Sequence, residues 1–102
     1  MEFDLVIAGG TVIDGTGQPR FRADLGIHNG RIAALVTAEH LTTPDTLDAT
    51  GLVVAPGLID IHSHSDWILP FQGHDQILVP LLLQGITTLV TGNCGFSPTP
   101  VT

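Results

Sequence analysis

Short alternating runs of apolar and polar residues fill the first half of the chain. Residues 3–7 read Phe-Asp-Leu-Val-Ile, and residues 11–13 resume as Thr-Val-Ile after Gly9-Gly10. Two β-branched runs parted by a Gly-Gly pair predict a hairpin. Residues 14–19, Asp-Gly-Thr-Gly-Gln-Pro, are a loop by composition. Residues 23–28 and 31–36 then flank Asn29-Gly30. That dipeptide tolerates the positive φ angles of a type I′ turn, so a second hairpin is predicted there. Residues 37–48 are polar and read as a surface connection, and residues 52–55 form one more strand stopped by Pro56-Gly57.

Beyond Pro56-Gly57 the pattern changes. Residues 58–62, Leu-Ile-Asp-Ile-His, are a short β segment, followed by a loop through Trp67 to Gly73. Asp75 is placed to cap a helix over residues 76–84, with Gly85 as its stop. Pro80 inside that helix removes one backbone hydrogen bond and should shorten or kink it. Residues 86–91, Ile-Thr-Thr-Leu-Val-Thr, are strand again and close at Gly92-Asn93-Cys94-Gly95. Strand, helix, strand in this order is a βαβ unit, which implies two parallel strands joined by a right-handed crossover. The fold class is therefore α/β with a β-rich N-terminal part.

Composition narrows the function. The chain has 102 residues, 43% of them hydrophobic, too apolar for a disordered tail. Ten acidic residues against Arg20, Arg22 and Arg31, with no lysine, give a formal charge of −7. Three arginines make no basic patch, so neither nucleic acid nor an anionic membrane is an expected partner. The start, Met1-Glu2-Phe3-Asp4, is acidic where a secretory leader would be basic, which leaves the cytoplasm as the expected compartment. Residues 76–102 carry no charged side chain, but Pro80, Gln84, Gly85, Thr87, Thr88 and Asn93 interrupt the run. A membrane span needs about 20 predominantly apolar residues, so the stretch reads as buried soluble structure. One cysteine, Cys94, excludes an internal disulfide framework.

The candidate chemistry lies at the ends of the two parallel strands. His62 and His64 are two residues apart, and in extended backbone such residues share a face. Asp60 precedes them on that face, and Asp66 follows if the extension continues. Imidazole is a common zinc ligand, and a carboxylate can ligate or orient a ligand's second nitrogen. Ligands of parallel α/β sheets bind outside the carboxyl ends of the strands, where this pair sits. Cys94 follows the second strand and so reaches the same rim, with Gly92 and Gly95 permitting a tight turn. Against this stand plainer readings: a polar loop without an ion, a small buried hydrophobe at Cys94, or a nucleophile needing its own base. His28, His40 and His74 are assigned to solvent.

Residues 54–64, Val-Ala-Pro-Gly-Leu-Ile-Asp-Ile-His-Ser-His, resemble the metal-binding signature of the amidohydrolase superfamily. There the motif ends the first strand of a (β/α)8 barrel and both histidines bind metal. Residues 4–15, together with Asn29-Gly30-Arg31-Ile32, resemble the small β-domain that precedes the barrel in many members. Gln84-Gly85-Ile86-Thr87-Thr88 and Gly92-Asn93-Cys94-Gly95-Phe96-Ser97 are similar to the N-acyl-D-amino-acid deacylase branch, where the cysteine is a zinc ligand. The resemblance implies a small β-sandwich-like domain over residues 1–55. Residues 56–102 would begin a TIM-type barrel, truncated after its first βαβ unit, since a whole barrel takes about 250 residues. It implies one or two zinc ions held by His62, His64 and Cys94, with Asp60 orienting a ligand or neighbouring backbone. It further implies a small N-acyl amino acid as substrate and a general base on a later strand. Two alternatives stay open: another amidohydrolase chemistry, such as a cyclic amidase or deaminase, and a non-catalytic β-rich module.

Overall fold

A computed structural model describes residues 2–95, so Phe96 and Ser97 of the deacylase-like segment lie outside the described residues. The described chain divides into two compact units, one ending at Pro56 and the other starting at Gly57.

The first unit is built on one mixed sheet. Its strands are β1 (Leu5–Val12), β2 (Phe21–His28), β3 (Arg31–Val36), β4 (Thr46–Asp48) and β5 (Val53–Val54). The order is β3-β2-β1, with β4 and β5 following one another along the outer edge of β1. β1, β2 and β3 pair antiparallel, whereas β4 and β5 run parallel to β1. The Asn29-Gly30 hairpin forms as predicted, with φ of 50° and 72° at its two turn residues.

The hairpin predicted at Gly9-Gly10 does not form; β1 runs straight through it. Ile7 opposes Leu25 and Gly10 opposes Ala23, so β1 carries one residue more than β2 across this interval. This is a β-bulge with Gly9 at φ 74°, a conformation that glycine adopts without strain. The bulge has a packing consequence. Ile7 and Val12 are five apart and would face opposite sides of a regular strand. The extra residue brings both onto the core of Val12, Ala23 and Leu25, where Phe21 and Val54 also pack. Gly10 leaves room for β5, because a Cβ there would stand 2.5 Å from Val54 Cγ2.

On the opposite face Asp24 is buried at 2% exposure. Its carboxylate accepts hydrogen bonds from the Gly9 amide (2.7 Å) and the Leu41 amide (2.9 Å). His40 Nδ1 stands 3.3 Å from the same group. Burial pushes the Asp24 pKa up, but the Gly9 and Leu41 amides and the His40 imidazole outweigh it, leaving the pKa below the ordinary aspartate value. Residues 37–48, expected as a plain connection, are thus tied down at Leu41 and end in β4. All five strands of this unit hydrogen-bond into one sheet. One face of that sheet carries a groove of about 310 Å³ lined by Ile7, Leu25, Ile32, Leu35 and Val54.

The second unit holds β6 (Leu58–Asp60), a single 3-10 turn (Ser65–Trp67), α1 (His74–Leu83) and β7 (Ile86–Leu89). β6 and β7 pair in parallel, completing the predicted βαβ order. The helix starts earlier than expected. Gly73 is its N-cap, and Asp75 falls in the first turn, where its charge complements the helix dipole. Pro80 does not shorten the helix, which spans 10 residues; Gln84 Nε2 donates to the Pro80 carbonyl at 2.9 Å. Gly85, at φ 85°, ends the helix and turns the chain into β7. Among the described residues no helix is long and apolar enough to cross a membrane.

Candidate metal centre

β6 stops at Asp60, two residues short of the predicted end. The Asp60 Oδ1 accepts a hydrogen bond from the His62 amide at 3.1 Å, a local turn that bends the chain out of the strand. The next residues are fixed from the β7 side. Val90 donates its amide to the Asp60 carbonyl (2.8 Å), and Ser63 donates its own to the Val90 carbonyl (3.0 Å). Ser63 is buried, and its hydroxyl accepts from the Ser65 amide at 3.1 Å. With Ser63 anchored inward, its neighbours His62 and His64 are both exposed.

The two imidazoles converge as expected, but by a different route. His64 has φ −110° and ψ 12° and leads into the 3-10 turn, so the pair does not share one extended face. The rings still meet edge to face with centroids 5.4 Å apart. Asp66, considered for the same face, instead enters the 3-10 turn and is buried.

Cys94 comes from the turn after β7 and is exposed, which removes the buried-hydrophobe reading. Its Sγ stands 3.4 Å from His62 Nε2. Donor atoms of His62, His64 and Cys94 all lie within 4.8 Å of one another, and no carboxylate joins them among the described residues. Zinc takes nitrogen at about 2.0–2.1 Å and sulfur at about 2.3 Å, so donors of one tetrahedral shell stand roughly 3.3–3.6 Å apart. The cluster is within small side-chain rotations of that spacing, and its donor chemistry suits zinc.

Sequence reasoning missed the residues that hold this arrangement. Asn93 Nδ2 donates to the Ile61 carbonyl at 3.1 Å, joining the turn after β7 to the bend after β6. Ser63 anchors the histidine pair from within. Both act through backbone groups some thirty residues away in sequence, a partnership no local motif displays. The other histidines have partners elsewhere. In the first unit His28 is half-buried, its Nδ1 3.7 Å from Asp4 Oδ1, and His40 lies beside Asp24. His74 opens α1 with its Nδ1 3.0 Å from the Phe71 carbonyl. Solvent alone therefore does not describe these three.

No family model matches the chain. The fold is similar to that of solved enzymes of the amidohydrolase class. A D-aminoacylase, described as defining a subset of amidohydrolases, superposes with a TM-score of 0.79 at 40% identity, over 98% of this chain and 20% of that one. The N-acyl-D-glutamate deacylase of Bordetella bronchiseptica, solved with zinc and a phosphonate mimic of the tetrahedral intermediate, gives 0.82 at 46% identity, over 99% and 21%. The D-aminoacylase of Alcaligenes xylosoxydans xylosoxydans is 48% identical over 97% of this chain and 20% of its own length. The chain is a homologue of the N-acyl-D-amino-acid deacylases. It spans about one fifth of the length of the curated relatives it matches.

Proposed function

We propose that this chain is the N-terminal part of a zinc-dependent amidohydrolase that cleaves the N-acyl amide bond of N-acyl-D-amino acids. The observation that carries the reading is the approach of Cys94 Sγ to His62 Nε2 at 3.4 Å. Residues 57–95 would then be the first βαβ unit of a (β/α)8 barrel, with the site at the carboxyl ends of its strands, where barrel active sites lie. His62, His64 and Cys94 would hold the metal. When bound, zinc supplies a polarised carbonyl and a water whose pKa falls towards about 7. His62 and His64 would offer ring nitrogens, and Cys94 would bind a divalent ion through its sulfur. Asp60 holds the His62 amide and so fixes the bend that aims the ring, a role distinct from proton transfer. The general base is assigned to a barrel strand beyond these two.

The contact between thiol and imidazole also suits an activated nucleophile, and zinc separates the two readings. Cys94→Ala should lower bound zinc, measured by atomic emission on the purified enzyme that carries these residues. Zinc should also slow alkylation of Cys94. Hydrolysis should favour N-acetyl-D- over N-acetyl-L-amino acids. Unchanged zinc content in the alanine variant would reject the assignment.

A further inference from the structure

The donors His62 and Cys94 stand on separate turns, one after each strand, and neither turn is long enough in regular structure to be fixed by its strand alone. β6 ends at Asp60 and β7 at Leu89, so Cys94 lies five residues beyond the last paired position of its strand. Backbone bonds reach only as far as Ser63 to Val90. Beyond that point, besides the approach of the Cys94 and His62 donors to each other (3.4 Å), the described residues bridge the two turns by the Asn93 side-chain amide, given to the carbonyl of Ile61 at 3.1 Å. Asn93 precedes Cys94, and Ile61 precedes His62. The bridge therefore joins the residues immediately before a nitrogen donor and a sulfur donor.

We infer that Asn93 is a positioning residue for the metal centre, holding the Cys94 thiolate against His62 by bonding the Ile61 carbonyl. This inference rests on the metal reading of His62, His64 and Cys94. Asparagine suits the task for a chemical reason. Its amide nitrogen donates to a backbone carbonyl and carries no charge, so it neither competes for the ion nor ligates it. An aspartate at 93 would set a carboxylate oxygen against the Ile61 carbonyl oxygen, two acceptors with no proton between them, and would present a competing ligand. Without the bridge, the turn 92–95 keeps its own Gly95-to-Gly92 backbone bond (2.9 Å) but loses its tie to the bend after β6. The sulfur then samples positions away from the imidazole, and metal binding must order it again. Contacts of this kind, which orient a metal's ligands without touching the ion, typically cost 10–100-fold in affinity when removed.

The test uses Co²⁺ as a spectroscopic stand-in for zinc, titrated into the metal-free form of the purified enzyme that carries these residues. Thiolate ligation gives an ultraviolet charge-transfer band that reports Cys94 directly. Asn93→Leu, which keeps the volume and removes the donor, and Asn93→Ala should each weaken Co²⁺ affinity by about 10–100-fold and reduce that band. The metal-free thermal midpoint should stay unchanged, because Asn93 is exposed; a merely structural role would move the midpoint and leave the band at saturation intact. Wild-type affinity and band in both variants would overturn the inference while leaving the metal reading standing. Absence of the band in the unmutated chain, or its persistence in Cys94→Ala, would overturn the metal reading and the inference with it. Should either variant fail to fold, the unmutated chain still decides. Exchange of the Asn93 side-chain amide protons with deuterated water should run slower than in a free primary amide, and an equal rate would refute the bridge.

Discussion

Asp24 shows what one buried carboxylate does in a small sheet. At 2% exposure it is denied water, yet two backbone amides and an imidazole replace the lost solvation. Of the groups facing it, β1 offers the Gly9 amide and the connection before β4 offers the Leu41 amide and His40, while β3 sets the uncharged Val36 opposite. The net effect is a pKa below the ordinary aspartate value, which fixes the sign of the pH dependence. A carboxyl depressed in the folded state lends stability at pH above its unfolded pKa and loses it as pH falls through the folded one. Asp24→Asn keeps one acceptor oxygen and replaces the other by an NH2 donor, so either the Gly9 or the Leu41 amide loses its acceptor, at a cost of about 1–3 kcal/mol. Urea unfolding should show that loss at neutral pH, and the gap between variant and parent should close as acid protonates Asp24. A gap constant down to the acid limit would show that the charge contributes nothing.

At the scale of elements, glycine carries opposite messages in this chain, and only some are legible locally. Asn29-Gly30 could be read from sequence because the turn's demand for two positive φ angles is met by those two residues alone. Gly9-Gly10 could not, since a hairpin and a bulge recruit the same residues; what decides is Asp24, fifteen positions away, which accepts the Gly9 amide. β4 was invisible for a related reason. Thr46, Leu47 and Asp48 are all exposed, so their strand exists through pairing with β1 and not through a buried face. The donor triad was legible because His-x-His and the Gly-flanked cysteine are local patterns. The bend at His62 was not, since it depends on Asp60 and on β7. Gly57 is a glycine whose demand comes from a neighbour. A Cβ there would fall 1.8 Å from Thr87 Oγ1 and 2.6 Å from its Cβ. Gly57→Ala should therefore destabilise the second unit by about 1–3 kcal/mol, the range for forcing an extra methyl into a packed site. Thr87→Gly should recover part of the loss, because it removes all three clashing atoms, Oγ1, Cγ2 and Cβ. The double-mutant cycle reads this as a coupling of at least about 0.5 kcal/mol, and additive costs would show that the clash relaxes elsewhere.

For the molecule as a whole, the division into two units sets where metal should act. His62, His64 and Cys94 all belong to the unit that starts at Gly57. That unit leaves much apolar surface in water: Leu58, Ile59 and Ile61 are 59%, 60% and 74% exposed, and Leu83 82%. With so little area buried, its stability without metal is expected to be small. A ligand that binds only the folded form adds RT ln(1 + [L]/Kd), about 2.7 kcal/mol at a hundredfold excess over Kd. The whole of that gain falls on the cooperative step that breaks the site. The single tryptophan, Trp67, lies in this unit and reports it by fluorescence. Zinc should raise the Trp67 unfolding midpoint, and backbone amides of β1–β3, followed by hydrogen exchange, should keep their zinc-free protection. In Cys94→Ala the fluorescence shift should shrink towards zero. A Trp67 transition indifferent to zinc would mean that three donors within 4.8 Å do not bind an ion strongly enough to matter for folding. Equal shifts in both probes would mean that the two units unfold as one, so that metal held by the βαβ unit stabilises the sheet as well.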